Sequence, residues 1–275
     1  MNMEQTPPRT IAAPPFGGVR LVAIPRLAAG GRWRVEAMRS LSEPLLLWFT
    51  KGQGRITMAG ATRGYGPNNA IFIPAGVMHG FDAGQQVFGT AVFFGHGPGP
   101  VLPDRPHHLR IRENSAQVEL NLILDATGRE MAGDKPANDR AVRHHMGLLS
   151  VWLERQVAAQ PAADAQPPDA ARKLAARYAQ LLERDFRSGM GVADYAAALG
   201  VTPTHLSRVC RKTTGRPAKA LLDDRVLFEA RRLLAETRRP VSEVARTLGF
   251  GSAAYFTRAF QHHTGKTPTD FRSQT

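Results

Sequence analysis

Two arginines fifty residues apart, Arg208 and Arg258, stand in nearly identical surroundings. The segment Leu206-Ser-Arg-Val-Cys-Arg-Lys-Thr-Thr-Gly215 reappears as Phe256-Thr-Arg-Ala-Phe-Gln-His-His-Thr-Gly265. A guanidinium group can donate to O6 and N7 of one guanine together, a contact worth about 1 to 3 kcal/mol of discrimination between bases. The chemistry that these two residues suggest is therefore the recognition of a nucleic-acid base.

A shorter repeat lies upstream of each arginine. The segment Val192-Ala-Asp-Tyr-Ala-Ala-Ala-Leu-Gly200 returns as Val241-Ser-Glu-Val-Ala-Arg-Thr-Leu-Gly249, with an offset of 49 residues rather than 50. The copies thus differ by one residue between two short helical pieces, which predicts two helix-turn-helix units at 192–214 and 241–263. The second helix of such a unit is the element that enters the DNA major groove.

Each unit needs a small residue where its helices cross, a residue that turns sharply, and a cap that starts the second helix. Pro203 follows the first cap, at a position where proline favours helix initiation. The small residues are Ala196 and Ala245, the turn residues are Gly200 and Gly249, and the caps are Thr202 and Ser252.

Counting from the caps gives the outer face of each second helix. We expect the DNA-contacting residues to be Thr204, Ser207, Arg208, Arg211 and Lys212 in the first unit, and Ala253, Ala254, Thr257 and Arg258 in the second. Lys212 is assigned to backbone phosphates, as are Arg216, Lys219 and Arg246. For any single exposed charge, the alternative is a solvated helix face.

The net charge agrees with a polyanionic partner. The 275 residues carry a formal charge of +13, and the isoelectric point is near 10.9. Residues 169–275 contain 19 Lys and Arg against 10 Asp and Glu, whereas residues 1–168 contain 17 against 13. The positive excess is concentrated in the C-terminal part, as a nucleic-acid interface requires.

The N-terminal part has a different pattern. Short runs of β-branched and aromatic residues alternate with glycine-bearing turns, and they predict strands at 32–39, 45–49, 54–58, 70–73 and 86–94. Many short strands at close spacing favour a small all-β barrel or jelly roll.

Two helices are predicted after these strands. The first spans 114–131, with Val118, Leu122 and Ala126 on one side. The second spans 138–160 and carries an apolar stripe, which either packs on the barrel or pairs with a second copy of the chain. The stripe consists of Val142, Met146, Leu149, Leu153 and Val157.

Residues 170–272 resemble the DNA-binding domain of the AraC/XylS family of bacterial transcription regulators. The resemblance rests on Leu206-Ser-Arg208, on the run Arg225 to Leu234, and above all on Gly249-Phe-Gly-Ser-Ala-Ala-Tyr-Phe-Thr-Arg-Ala-Phe260 leading to Gly265-Lys-Thr-Pro-Thr-Asp-Phe-Arg272. It implies that both units occupy successive major-groove segments, and that the predicted contact residues other than Arg211 and Lys212 are the base-reading ones. Ala253 and Ala254 depart from the pattern, because they are short where polar residues would form hydrogen bonds.

The run Pro74-Ala-Gly-Val-Met-His-Gly-Phe81 resembles the second motif of the cupin barrel. Metal-binding cupins carry a histidine pair and a carboxylate upstream, but residues 44–54 contain no histidine. A catalytic metal site needs about three protein ligands, so we predict no cofactor, no metal and no enzymatic activity. The same run is also similar to regulators of hydroxylated aromatic acid breakdown.

In the AraC/XylS family, an N-terminal cupin commonly binds a small effector and promotes dimerisation. We expect Arg39, Trp48, His79 and Phe93 to contact such an effector. The longest apolar run, residues 45–49, is far too short for a membrane span, and the N-terminus lacks an export signal. The expected location is the cytoplasm.

The overall prediction is an α+β multidomain protein in five segments. These are a flexible N-terminus at 1–18, a cupin-like sensing barrel at 19–106, a helical dimerisation region at 107–160, a Pro-rich linker at 161–169 and an all-α DNA-binding domain at 170–275. The expected partners are double-stranded promoter DNA, a small organic effector, a second copy of the chain and RNA polymerase. The alternatives are an effector-independent regulator whose cupin only dimerises, and a metal-dependent cupin enzyme fused to a DNA-binding domain.

Overall fold

The computed structural model describes residues 15–84, 86–96, 99–159 and 169–274. Most of the predicted flexible N-terminus and almost all of the predicted Pro-rich linker lie outside these ranges. The described chain opens with a short 3-10 turn at Pro15–Gly18.

Within the described ranges, eight strands form two antiparallel sheets in the N-terminal part. The five-stranded sheet has the order β1-β7-β2-β5-β8, and the three-stranded sheet has the order β4-β3-β6. Over the described residues these sheets do not close on each other, so the predicted cupin-like barrel is not confirmed. The strands are β1 Arg20–Ala23, β2 Leu45–Lys51, β3 Gly54–Met58, β4 Ala61–Tyr65, β5 Asn69–Ile73, β6 His79–Phe81, β7 Phe88–Phe93 and β8 His107–Arg110.

The central strand β2 is apolar on both faces because both faces are covered. Leu47 and Phe49 point into the core between the two sheets. Leu46 and Trp48 point to the other side, where two long helices lie on the five-stranded sheet. Strand side chains alternate between faces, so a continuous apolar run indicates a strand that is buried on both sides.

The described residues of the N-terminal part also form four helices: α1 Ile24–Leu27, α2 Trp33–Glu36, α3 Asn114–Ala132 and α4 Asn138–Ala159. The predicted stripe on α4 packs against the sheet, with Val142, Leu149 and Leu153 fully buried. On α3 the predicted apolar side is wrong, because Val118 and Leu122 are exposed and the buried side contains Ala116, Leu120, Ile123, Leu124 and Thr127.

The strand predicted at 32–39 is also wrong. Residues Trp33–Glu36 form one helical turn, and the chain becomes extended only at Ala37. Because of this turn, two neighbouring apolar side chains pack against different parts of the protein. Val35 is buried in the core between the sheets, whereas Trp33 packs against the C-terminal helices.

Seven helices make up the described C-terminal domain. They are α5 Ala170–Asp185, α6 Val192–Ala198, α7 Pro203–Thr214, α8 Ala218–Glu236, α9 Val241–Thr247, α10 Ala253–Thr264 and α11 Pro268–Ser273. One apolar core joins them, with Tyr178, Tyr195, Phe256 and Phe260 among its fully buried members. In the part of the chain that the structure covers, no helix combines the length and apolarity needed to cross a lipid bilayer.

The N-terminal part docks directly on this domain. Met38 and Met78 belong to the core of the C-terminal helices. The Trp33 ring meets the edges of Phe228 on α8 and Phe271 on α11, with centroid distances of 5.7 and 6.0 Å. This contact reaches both the central helix and the last helix of the domain.

A second set of contacts joins the N-terminal part to α5 and to the first helix-turn-helix unit. The Ser40 hydroxyl donates to a carboxylate oxygen of Glu183 on α5 at 2.5 Å. The Thr62 hydroxyl on β4 donates to the backbone oxygen of Thr214, the last residue of α7, at 3.1 Å. The two domains therefore share polar as well as apolar contacts.

Candidate nucleic-acid interface

The turns of the two helix-turn-helix units have the same backbone geometry. Gly200 and Gly249 have φ angles of +71° and +75°, in the left-handed region that glycine enters without steric cost. In the first unit the amide of Val201 donates to the Ala196 oxygen at 3.0 Å. The amide of Phe250 donates to the Ala245 oxygen at the same distance in the second. The predicted turn glycines thus lie where the repeat placed them.

The second helix of each unit is capped by a hydroxyl side chain. Thr202 accepts a hydrogen bond from the amide of His205, and Ser252 accepts one from the amide of Tyr255, both at 3.2 Å. Such caps satisfy one of the free amides at a helix N-terminus and typically stabilise by about 1 kcal/mol. Helices α7 and α10 therefore begin in the same way and carry their side chains in the same register.

The predicted arginines lie on corresponding outer faces of these helices. Arg208 and Arg258 are both exposed, while Leu206 and Phe256 on the opposite faces are fully buried. Of the other predicted contact residues, the exposed ones are Thr204, Arg211, Lys212 and Ala254, and the half-buried ones are Ser207, Ala253 and Thr257. The two outer faces can therefore meet a ligand without any change in the fold.

Two residues beside the arginines were missed by the sequence analysis. His205 lies one turn before Arg208, and its Nδ1 is 3.1 Å from Nη2 of that arginine. The equivalent residue of the second unit is Tyr255, whose side chain is 58% exposed. The signal was available, because applying the offset of 50 to every position of α7 pairs His205 with Tyr255.

Several of the predicted phosphate contacts have partners within the domain. Lys212 lies 3.5 Å from Asp169, the residue that caps α5. Arg216 pairs with Asp224 at 2.5 Å, and Lys219 pairs with Asp223 one turn along α8. These exposed or half-exposed pairs are weak in water, so the three cations can exchange their carboxylate partners for phosphates.

A glycine contact and an ion cluster connect the segment between α5 and α6 with the turn of the second unit and with α8. A Cβ atom on Gly249 would lie 2.3 Å from the backbone nitrogen of Gly189, which precedes the first unit. Nearby, Glu229 on α8 accepts hydrogen bonds from Arg187 at 2.7 Å and from Arg232 at 2.8 Å. Burial opposes ionisation of Glu229, but these hydrogen bonds and the charge of Arg225 outweigh it and lower its pKa to about 2.

Two of the predicted effector residues, Arg39 and His79, lie side by side. The backbone of each residue donates to the backbone oxygen of the other, at 2.9 and 2.7 Å. Both side chains are buried; the Arg39 guanidinium donates to the Val35 oxygen at 2.6 Å. Burial lowers the pKa of Arg39 to about 9, which leaves it charged at neutral pH.

The His79 ring is the most strongly perturbed group of this pair. Its Nδ1 lies 2.8 Å from the Val77 oxygen, while its Nε2 has no hydrogen-bond partner among the described residues. Burial, together with the charges of Arg39 and Arg225, lowers the pKa of His79 to about 3. The imidazole is therefore neutral at physiological pH.

The other two predicted effector residues lie elsewhere. Trp48 faces the helical layer and donates from Nε1 to the Asn121 carbonyl at 2.9 Å. Phe93 faces the core between the sheets, and the Arg20 guanidinium lies 4.4 Å from its ring centroid. Since Trp48 and Phe93 are on opposite faces of one sheet, the four residues do not line a common pocket.

Side chains that could ligate a metal are scattered over the described ranges. No group of three His, Cys, Asp or Glu side chains comes together there in a way that could hold a metal ion. Cys210 is buried in the helical core, and burial raises the pKa of its thiol to about 12.

Comparison with known proteins identifies the C-terminal domain. The profile of a family described as a helix-turn-helix domain matches residues 195–274. The chain is 33% identical over 86 residues to the arabinose operon regulatory protein of Escherichia coli, which is 31% of this chain and 30% of that protein. It is 32% identical over 84 residues to a probable transcription factor, PqrA, of Proteus vulgaris, which is 30% of this chain and 69% of that protein.

A solved structure of an AraC-type transcriptional regulator from Chromobacterium violaceum is 28% identical and covers 41% of this chain and 96% of its own length, with a TM-score of 0.33. The chain matches less than a third of the length of the arabinose regulator. Residues 195–274, which the family profile matches, contain the capped helices α7 and α10, the turn glycines and both exposed arginines. By its C-terminal domain, the chain belongs to the AraC/XylS family of helix-turn-helix transcription regulators.

Proposed function

We propose that this protein regulates transcription by binding promoter DNA with both helix-turn-helix units, in adjacent major-groove segments on one face of the duplex. The observation that carries the proposal is the equivalent, exposed placement of Arg208 and Arg258 on two identically capped helices. The positive excess of residues 169–275 supports it, because phosphate neutralisation supplies much of the affinity of such proteins for DNA.

Fluorescence anisotropy with a labelled duplex from upstream of the protein's own gene tests this proposal. Arg208→Ala and Arg258→Ala should each reduce specific binding by about 1 to 3 kcal/mol. Arg112→Ala, which removes an exposed arginine of the N-terminal part, should leave binding unchanged. Normal binding by both recognition-helix variants would refute the roles assigned to the two arginines.

A small organic effector, such as an aromatic acid, is proposed to act through the N-terminal part as a cupin-like sensor. The contact of Thr62 with α7 connects this part to the first unit, and the contacts of Trp33 connect it to α8 and α11, which flank the second unit. An effector that binds one arrangement of the domains better than another shifts the population towards it. Arg39 and His79 are the candidate contacts, and because they are buried, an effector reaches them only when the docked arrangement opens.

The alternative is a regulator without an effector, whose output depends on its abundance. A thermal-shift titration with 4-hydroxyphenylacetate distinguishes the two possibilities. A saturable rise in melting temperature that is lost in Arg39→Met supports the effector. A melting temperature that stays constant across a panel of aromatic acids supports the alternative.

A homodimer is proposed to form through the outer face of α3 and α4. Four apolar side chains are exposed there: Val118, Leu122, Leu148 and Val151. Contiguous exposed apolar side chains on a soluble protein often mark an interface. The buried stripe on α4 is not available for this contact, since it already packs on the sheet.

The charges around this face suit a second copy of the chain. Arg155 and Glu119 lie 3.6 Å apart near one end of the antiparallel helix pair, and Asp125 lies further along α3. A two-fold axis through the middle of the face would bring Arg155 towards the partner's Asp125. Isologous contacts of this kind are the commonest in soluble oligomers.

A further inference from the structure

A cavity of about 650 Å³ lies within the DNA-binding domain, between α8, α10 and the segment that joins α5 to α6. Its volume is in the range of small-molecule sites in proteins. Its walls combine apolar side chains with cationic ones at the rim. The apolar members used below are Leu222, Val226, Phe250 and Tyr255, and the cationic ones are Lys219 and Arg258.

The two repeats differ at one position that lines this space. Ala259, which lines the cavity, takes the position of Val209 in the first unit. Val209 is buried, whereas the smaller Ala259 is only half-buried. The Phe250 and Tyr255 rings, 5.9 Å apart, form an aromatic wall beside it. A large apolar surface therefore remains accessible next to Arg258.

The charges around the cavity favour an anion. Lys219 is already paired with Asp223 along α8. Arg258, by contrast, has no hydrogen-bond or ion-pair partner among the residues that the structure describes, whereas Arg208 of the first unit has His205 beside it. His262 and His263 also line the rim. The unpaired guanidinium is thus the strongest site for a negative group.

We propose that this cavity binds a small amphipathic organic anion, with an apolar body against Leu222, Val226 and Phe250 and a carboxylate or sulfonate on Arg258. A charged head beside an apolar wall is the arrangement that such ligands require. Because Arg258 is also assigned to base contact, the ligand and DNA compete for it. The competition rests on the proposed function, but binding of the anion does not.

Titration of the full-length protein with 1-anilinonaphthalene-8-sulfonate, without DNA, tests the site. The fluorescence should saturate at one probe per chain. Arg258→Ala should weaken binding about tenfold, as expected for loss of a hydrogen bond to a charged group. Ala259→Leu, which narrows the cavity beside Arg258, should weaken it as well. The matched control Arg208→Ala, at the equivalent position of the first unit, should bind the probe like the native protein.

Displacement of the bound probe by a charged and by an uncharged competitor measures how much the ligand's negative charge contributes to binding. 1-Naphthoate should displace the probe about tenfold better than the uncharged 1-naphthalenemethanol. Equal displacement by the two compounds, or equal losses in Arg208→Ala and Arg258→Ala, would overturn the proposal. Probe affinity unchanged in both Arg258→Ala and Ala259→Leu would overturn it as well, provided that circular dichroism shows both variants folded.

A last comparison separates this proposal from the proposed function. 1-Naphthoate should weaken DNA binding by the native protein but not by Ala259→Leu. If the protein binds no DNA, the proposed function fails, while saturable probe binding that depends on Arg258 still supports the anion site. If DNA binds normally and the probe does not bind, only the anion site is refuted.

Discussion

Glu183 and Arg225 join α5 to α8 through two parallel hydrogen bonds, from Nε to Oε2 at 2.6 Å and from Nη2 to Oε1 at 3.0 Å. The Arg225 guanidinium is buried and lies 3.7 Å from the centroid of the Phe186 ring. Ser40 of the N-terminal part donates to the same carboxylate. One carboxylate thus connects the first helix of the DNA-binding domain, its central helix and the docked domain.

Removing that carboxylate should destabilise the fold strongly. Glu183→Ala leaves the buried Arg225 with Glu229 as its remaining acidic neighbour, and breaking a buried pair typically costs about 3 to 5 kcal/mol. Asp82→Ala breaks the exposed Arg32–Asp82 pair instead and should cost less than about 1 kcal/mol. Urea unfolding followed by circular dichroism measures both. Equal effects would show that burial does not set the strength of the Glu183 contact.

The two turn glycines provide a matched pair of substitutions. Both have positive φ, but a Cβ on Gly200 would meet no atom within 4 Å, whereas one on Gly249 would collide with Gly189. Gly200→Ala should therefore cost only the left-handed backbone strain, about 1 to 2 kcal/mol. Gly249→Ala should cost clearly more and should also disturb the contact with Gly189. The melting temperatures of the two variants give the comparison, and a larger drop for Gly200→Ala would contradict it.

The buried His79 should make stability depend on pH. Its folded pKa is about 3, against about 6.5 for an unfolded histidine, so only the unfolded chain takes up this proton between these values. The stabilisation is complete above pH 6.5 and falls by about 1.4 kcal/mol for each pH unit below it. Urea midpoints at pH 7.5 and 5.0 should fall less for His79→Gln than for the native protein. Identical slopes would place the acid sensitivity in other groups.

The proposed dimer surface can be tested with single charges. Leu122→Glu or Leu148→Glu should convert the dimer to a monomer, because each places a carboxylate in the middle of the apolar face. Val101→Glu, at a residue that is 90% exposed in the connector before β8, is the control and should leave the dimer intact. Light scattering after size-exclusion chromatography gives the mass. A native protein that is monomeric at all concentrations would refute the interface.

The C-terminal domain was predictable because its signals are local and occur twice. The cap at Thr202, the turn at Gly200 and the small residue Ala196 lie within seven positions of one another, and the second copy repeats them. Backbone conformation at such positions depends on neighbours in sequence more than on distant contacts. The bounds of α7 and α10 consequently follow from the residues alone.

The N-terminal part was predicted less completely. Strands β2, β5 and β7 have clear apolar runs and β3 has apolar residues at alternate positions, but β6 has three residues and β4 has few apolar ones. Strands β4 and β6 form because each pairs with β3. Neither segment contains a sequence pattern that indicates this pairing. The helical turn at Trp33 depends in the same way on distant residues, Phe228 and Phe271.

At the candidate sites, too, local patterns could be predicted from the sequence, whereas contacts between distant segments could not. The outer faces of α7 and α10 follow from helical periodicity, so Arg208 and Arg258 could be assigned from the sequence. The pairing of Glu183 with Arg225, which are 42 residues apart, could not be, because it depends on how α5 packs against α8. On α3, two apolar sets competed, and only packing on the sheet decides that Leu120 rather than Leu122 is buried.

Hydroxyl-radical footprinting on the promoter duplex tests the central claim most directly, namely that two equivalent helices read one face of DNA. We predict two protected segments about 10 base pairs apart on the same face, since successive major-groove segments are one helical turn apart. Arg208→Ala should weaken one of these protections and Arg258→Ala the other. Protection of a single segment, or of two segments on opposite faces, would contradict the account.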